Sequence, residues 1–230
     1  MNNMSQGKLI VLEGGDGTGK RTQMDLLVST LKSRSIPVET MDFPRYEDSF
    51  FGDLAGKMLK GDFGGINASA PELAVLPFAC DRWLLKQDLL KWLSEGKTVV
   101  SNRYTASSAV YQASKLPSEK QQTFIHWVYT LEQEIIGLPK EDLVLFLYMP
   151  VSVSETLVDK KGARAYLGDK KKDIYEEDNA IQVTVEKLYQ QLATNQPQWK
   201  TINCADELKL RTPEEIQKDI LDVLTQNGVV

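Results

Sequence analysis

Five short, largely apolar runs recur along the chain, and the stretches between them carry apolar residues at helical spacing. The runs are Leu9-Ile10-Val11-Leu12, Val38-Glu39-Thr40-Met41, Thr98-Val99-Val100-Ser101, Leu143–Tyr148 and Trp199–Asn203. The more continuous of them suit strands buried on both faces of a sheet. Between them, Met24, Leu27 and Leu31 predict a helix over 22–33, and Phe51, Leu54, Ala55, Met58 and Leu59 a shorter one over 50–60, ended by Gly61. A long helix is predicted from Ala70 to Glu95, with Pro71 in its first turn and Gly96 past its end. Pro77 lies inside it and is expected to kink or break it beside Phe78. A further helix follows Tyr104, Ser118 is predicted to cap one over Glu119 to Ile136, and Ser152 and Glu155 have the spacing of a capping box. Tyr175 to Asp178 open a helix reaching about residue 194, and Thr212-Pro213-Glu214-Glu215 cap a closing one. Strands that alternate with helices predict an α/β fold, a parallel sheet covered on both faces, and 230 residues suffice to build it as one domain.

Charge and cysteine usage narrow the class of protein. A formal net charge of −5 argues against broad binding of nucleic acid or anionic membrane. Against that balance, Lys160, Lys161, Arg164, Lys170, Lys171 and Lys172 form a local basic concentration with Gly162 and Gly168 inside it. Cys80 and Cys204 lie far apart without metal-ligand spacing, as expected for unpaired thiols in a reducing compartment. Met1 to Gln6 lack the basic start and apolar core of a signal peptide, and no apolar run approaches a membrane span, so a soluble cytoplasmic protein is expected. The single histidine, His126, sits among Phe124, Ile125, Trp127 and Val128, where packing is the expectation rather than catalysis. Its helix is apolar around much of its circumference, which places it in the interior or at a subunit interface.

The chemistry concentrates after the first strand. In Gly14-Gly15-Asp16-Gly17-Thr18-Gly19-Lys20, followed by Arg21 and Thr22, the Gly-x4-Gly-Lys spacing matches a phosphate-binding loop. Glycines turn successive N–H groups into one concavity, Lys20 adds a compact charge, and the helix behind adds the positive end of its dipole. Arg21 stands where such loops usually carry a Ser or Thr hydroxyl on Mg²⁺; a guanidinium offers charge to a transferring phosphoryl group but cannot ligate a metal. Phe43-Pro44-Arg45-Tyr46 forms a rigid turn at the carboxyl end of the second strand, the sheet edge where ligands bind. Phe78 and Arg82, four apart, share one helix face. Either they hold a planar ring or Phe78 is core and Arg82 a surface ion pair, and periodicity favours the second. Arg103, at the end of the third strand, is either an anion ligand or an ordinary surface arginine.

With these pieces in order, the chain resembles the thymidylate kinases, P-loop enzymes that transfer a phosphoryl group from ATP to dTMP. Glu13 to Lys20 resembles the family's P-loop and Phe43-Pro44-Arg45-Tyr46 its substrate turn. Phe78-Ala79-Cys80-Asp81-Arg82 is similar to its base-recognition segment, Arg103-Tyr104 to its DRY-like motif, and 160–178 to its lid. The resemblance implies the three-layer P-loop NTPase fold, a five-stranded parallel sheet flanked by helices with a small basic lid at about 160–174. It implies ATP and Mg²⁺ as cofactors, dTMP as substrate, and a homodimer with interfaces near 70–95 and 119–136. Gly14 to Thr22 would hold ATP, with Asp16, Lys20, Arg21, Arg103 and Arg164 acting in transfer and Asp16 near the metal. Phe43, Pro44, Arg45, Phe78, Arg82, Arg103, Ser108, Tyr111 and Tyr175 would form the dTMP site. Phe78 would stack on thymine, Arg82 would bond a ring carbonyl, and Ser108 would meet the base edge. Tyr111 would pack near the sugar. Asn102 stands where many members carry the aspartate of the DRY-like motif. A related nucleoside-monophosphate or deoxynucleoside kinase, or a silent nucleotide-binding paralogue, is the alternative reading.

Overall fold

In the computed structural model, which describes residues 6–158, 164–206 and 209–229, the five apolar runs become β1 (Lys8–Glu13), β2 (Val38–Asp42), β3 (Thr98–Asn102), β4 (Leu143–Tyr148) and β5 (Trp199–Asn203). They form one sheet in the order β2-β3-β1-β4-β5, parallel throughout. Its helices are α1 (Lys20–Ser33), α2 (Phe50–Lys60), α3 (Pro71–Ser94), α4 (Thr105–Ala113), α5 (Ser118–Tyr129), α6 (Val151–Val158), α7 (Asn179–Asn195) and α8 (Pro213–Gln226). Alternate residues of the strands feed two cores. Leu9, Val11, Val99, Val144 and Phe146 pack with Ala79, Val110, Phe124 and Leu188 on one face. Ile10, Leu12, Val100, Leu145 and Leu147 pack with Leu27, Leu31, Ile220 and Leu224 on the other. Burial on both faces is why these runs are continuously apolar. The register pairs Leu12 and Asp42 with Asn102, so the three strands that end beside the glycine loop finish level.

Local signals that need only their own neighbours behave as expected. Ser49 caps α2 by accepting from the Gly52 N–H, Gly61 ends it in the left-handed conformation, and Thr212 and Glu215 form a reciprocal capping box on α8. Several other expectations are corrected by tertiary contacts. α3 runs without interruption through Pro77; its buried face, with Ala74, Val75, Ala79 and Leu89, holds it together, and the turn that loses a donor to Pro77 carries the exposed Leu73. Ser118 is the first residue of α5 rather than its cap, and Pro117 precedes it without a side-chain bond. Ser152 is not the cap of α6, which begins one residue earlier at Val151, and the Val151 N–H is bound by the carboxylate of Glu186, from α7, at 2.9 Å. α7 starts at Asn179, capped by Asp178, and not at Tyr175, because the Tyr175 and Glu176 N–H groups bind the Asp173 carboxylate in a separate turn. His126 is exposed, not packed. A short antiparallel hairpin, β6 (Ala205–Asp206) and β7 (Lys209–Leu210), has no counterpart in the sequence reading. Lys160, Lys161 and Gly162 lie outside the described residues.

Candidate active site

The loop between β1 and α1 owes its path to two glycines. Gly14 has φ of 149°, and a Cβ there would come within 2.6 Å of the Leu147 carbonyl oxygen on β4. Gly19 sits at the helix N-cap with φ of 85°, so α1 begins without a side-chain cap on its first N–H groups, an arrangement suited to a bound anion. Lys20 is buried and its Nζ donates to the carbonyls of Gly14 at 2.9 Å and Gly15 at 2.7 Å, which curls the loop around its own ammonium. Thr18 donates to the Gly15 carbonyl.

The sheet edge beside this loop carries a cleft of about 880 Å³. Asp16 to Thr22 line one side; Phe43, Pro44, Arg45, Phe78, Arg82, Arg103, Ser108, Tyr111 and Tyr175 line the other, with Arg164 at the rim segment. The side chains expected at a site therefore converge, and five arginines, Arg21, Arg45, Arg82, Arg103 and Arg164, face one cavity together with Lys20. Each is held by a specific acceptor. Arg103 has a positive φ of 63° and donates to Asp16 at 2.6 Å and to Ser107 at 3.1 Å, its guanidinium 5.3 Å from the Tyr111 ring centre. Burial opposes that charge, but Tyr111, Asp16, Tyr189 and Glu13 raise its pKa well above the ordinary arginine value. Arg45 binds Asp81 through both its backbone N–H and its guanidinium. Phe43 lies under two guanidiniums, Arg45 at 6.0 Å and Arg82 at 5.8 Å.

Arg82 is not a surface ion pair. It is 2 % exposed and grips Glu132 with two bonds of 2.7 and 2.5 Å while donating to Ser108 at 2.6 Å. Glu132 is wholly buried and also accepts from Thr105; it comes from a π-helical turn, Thr130–Ile135, that continues α5. This turn displaces the expected α-helical end at Ile136 and aims a carboxylate inward. Glu13 works similarly at the start of α4: one oxygen accepts from the Tyr104 and Ser107 N–H groups, the other from the Ser107 and Tyr189 hydroxyls. The sequence alone assigns no role to Glu132 or Asp81, and Glu13 reads there only as part of the loop. Buried carboxylates opposite buried arginines were the signal, but only the fold shows which arginines are buried.

Arg21 also has carboxylate partners within the chain. It lines the cleft, yet its guanidinium is bound to Asp25 at 3.1 Å and to Asp42 at 2.8 Å, and Asp42 in turn accepts from Asn102 at 2.7 Å. Arg164 also has an internal partner, the Glu176 carboxylate at 2.9 and 2.6 Å, and its neighbour Tyr166 stacks on Tyr46 of the substrate turn at 4.0 Å between ring centres.

The match to known proteins follows this geometry. A family model described as Thymidylate kinase matches residues 12–218. The chain belongs to the thymidylate kinase family. Members are phosphotransferases that phosphorylate dTMP with ATP. A thymidylate kinase of Mycobacterium tuberculosis is 32 % identical over 187 residues, 80 % of this chain and 85 % of that protein. One from Danio rerio is 30 % identical over 219 residues, 95 % of this chain and 90 % of the relative. The solved thymidylate kinase of Candida albicans shares the fold with a TM-score of 0.75 at 23 % identity, covering 97 % of this chain and 93 % of that one. The five-stranded parallel sheet flanked by helices is thus that of a P-loop kinase.

Near this kinase's buried carboxylates, Glu141 has a measurable consequence. Burial, with Glu13 and Glu132 nearby, pushes its carboxyl up to about 7, and Arg82 only partly offsets this. The folded chain therefore holds this proton more tightly than the unfolded chain, whose carboxyl titrates near 4.5, so stability falls as pH rises between those values. Glu141→Gln removes that slope. The variant should match the parent near pH 4.5 and exceed it by on the order of 1–3 kcal/mol at pH 8 in urea unfolding.

Proposed function

We propose that the residues of this cleft carry the transfer, with ATP on the loop at Gly14 to Thr22 and dTMP between the Phe43-Pro44-Arg45 turn, α3 and α4. The convergence of five arginines and Lys20 on one cavity in a chain of net charge −5 carries this reading. Two polyanions must meet there, and fixed cations offset the repulsion between them and stabilise charge on the transferring oxygens. Arg45 and Arg103 hold the acceptor phosphate, Lys20 and the first turn of α1 hold the donor phosphates, and Phe78 and Arg82 take the base. The acceptor phosphate is already ionised, so no general base is needed. Arg103, bridging Asp16 and Ser107, stands between the two phosphate sites, while Arg21 acts through its carboxylate partners by holding Asp42 and the end of β2.

The chain forms one catalytic domain in this reading, and the described part of the expected lid, 164–174, covers the nucleotides, tied by Arg164–Glu176 and the Tyr166–Tyr46 stack. Closure excludes water that would otherwise take the phosphoryl group. Among the described residues no three His, Cys, Asp or Glu side chains group as metal ligands. The hard carboxylate oxygens of Asp16, which lines the cleft, suit a Mg²⁺ that would be held mainly by the ATP phosphates and waters and would supply further neutralisation of phosphate charge.

Coupled ADP release with dTMP, dUMP, dCMP, GMP and thymidine as acceptors tests the assignment. Turnover is expected to favour dTMP; ATP binding without turnover on any acceptor would overturn it. The exposed stripe Leu73, Leu76, Trp83, Leu84 and Leu90 on α3, with the exposed Trp127 on α5 and Ile135 in the π-helical turn after it, supports a homodimer joined through these helices. Sedimentation should give a dimer that Trp83→Glu converts to monomer. A reducing, cytosolic location is supported by Cys80 and Cys204 both being free; burial pushes the Cys204 thiol up to about 12, out of reach of disulfide exchange at neutral pH.

A further inference from the structure

Gly52 and Gly56 lie one turn apart on the buried face of α2, inside a helix, where glycine is ordinarily disfavoured. Close approach accounts for both. A Cβ on Gly52 would overlap the backbone carbonyl of Arg45, and one on Gly56 would come within 3.0 Å of the Tyr46 ring and 3.3 Å of the Tyr166 side chain. The bare helix face is thus a bed for two rings, Tyr46 from the turn after β2 and Tyr166 from the rim segment, which stack at 7° with centres 4.0 Å apart. Each ring is tied to an arginine of the cleft. Tyr46 directly follows Arg45, which Asp81 holds by backbone and side chain. The Tyr166 ring lies 5.7 Å from the Arg164 guanidinium, which also donates to the Tyr166 hydroxyl at 3.3 Å. Glu176 binds the same guanidinium, so carboxylate and ring together set its direction. Further along α2, Lys170 donates to the Lys60 carbonyl at 2.6 Å and the Ile174 N–H to the Leu59 carbonyl at 3.0 Å, which docks the rim segment along this one helix.

We propose that the Tyr46–Tyr166 stack on Gly56 couples the two nucleotide sites, with Tyr166 as the positioning residue that ties the aim of Arg164 to the state of the Arg45 turn. This rests on the assignment of Arg45 to the acceptor phosphate and adds a linkage between acceptor and donor that the assignment alone does not require. An acceptor phosphate on Arg45 fixes Tyr46, the fixed ring holds Tyr166, and the Arg164 guanidinium is then in place before ATP arrives. Whichever nucleotide binds first orders the shared stack, so each binds more tightly in the presence of the other. Without such a link, two polyanions in one cleft would weaken each other's binding.

The test is calorimetric binding of β,γ-imido-ATP with Mg²⁺ to the full chain, alone and with saturating dTMP, together with initial rates. In the wild type, dTMP should tighten the analogue by about fivefold or more. Tyr166→Leu should bring that factor close to one, leave the affinity for dTMP alone nearly unchanged, and lower kcat by about tenfold as Arg164 loses its aim. Loss of rim structure alone would instead weaken the analogue equally with and without dTMP. Tyr166→Phe keeps the ring without the hydroxyl and should restore the coupling. Gly56→Ala, which inserts a methyl against both rings and leaves every polar group in place, should also abolish it and serves if the leucine variant does not fold. A wild-type factor near one, or a factor unchanged in the folded variant, overturns the proposal. Arg45→Ala separates the two levels of failure. If it raises KM for dTMP while the factor is near one, the acceptor site stands and only the coupling fails. If it leaves KM for dTMP unchanged, the acceptor assignment fails and the coupling with it.

Discussion

Arg103→Ala should lower kcat by about two to three orders of magnitude while the protein stays folded. Among the cleft arginines this one is bonded to the loop aspartate Asp16 and follows the end of β3, which in the proposed arrangement puts it between the donor and acceptor phosphates. Its left-handed backbone, its bond to Ser107 and its placement over the Tyr111 ring fix the guanidinium before substrate arrives. A preorganised charge of this kind stabilises the transition state without reorganisation during transfer, and that contribution is lost whole when the side chain is truncated. Arg103→Lys keeps the charge but not the planar fork, and a loss of about tenfold or more is expected. Single-turnover rates of dTDP formation, compared with dTMP affinity, separate transfer from binding. A normal single-turnover rate in the alanine variant would reduce Arg103 to a scaffold residue.

For stability the largest effect is expected at Glu132. Glu132→Ala leaves Arg82 charged in a site where it is 2 % exposed, with the Ser108 hydroxyl still accepting one of its N–H groups. Breaking one side of such a pair costs about 3–5 kcal/mol, because the surviving charge keeps its desolvation penalty without its compensation. Arg82 would also lose its aim, so KM for dTMP should rise more than kcat falls. Glu132→Gln retains an acceptor for one of the two guanidinium bonds and should cost less. Urea unfolding measures the first effect and initial rates the second; a Glu132→Ala enzyme of unchanged stability would show that the ion pair contributes nothing net. Its coupling to Arg82 is testable by comparing Arg82→Met, Glu132→Ala and the double variant, since well-packed apolar substitutes for both partners can restore much of the loss.

Much of the fold is legible because its signals are local or periodic. β4 and β5 match their apolar runs to the residue, the Thr212 box closes as its spacing requires, and the glycine loop lies between strand and helix. Elsewhere a distant group outcompeted a local one. Glu186 reaches the first N–H of α6, at Val151, and Ser152 lies inside the helix rather than at its cap; the buried face of α3 carries the helix past Pro77, and the Asp173 turn delays α7 to Asn179.

Arg82 shows the same division within the site. Periodicity favoured a surface arginine there, and only similarity to a family pointed to the base site; its burial depends on Glu132, fifty residues away, being turned inward by a π-helical turn. Arg21 likewise has its partners set by Asp42 on a neighbouring strand. By itself the sequence determined the alternation of strands and helices, the phosphate loop and the identity of the cations, because these follow from hydrophobic period, glycine freedom and side-chain charge. The tertiary structure decided which carboxylate holds each cation and where the arginines point. Those depend on burial and on contacts between residues far apart in the chain, which no local pattern encodes.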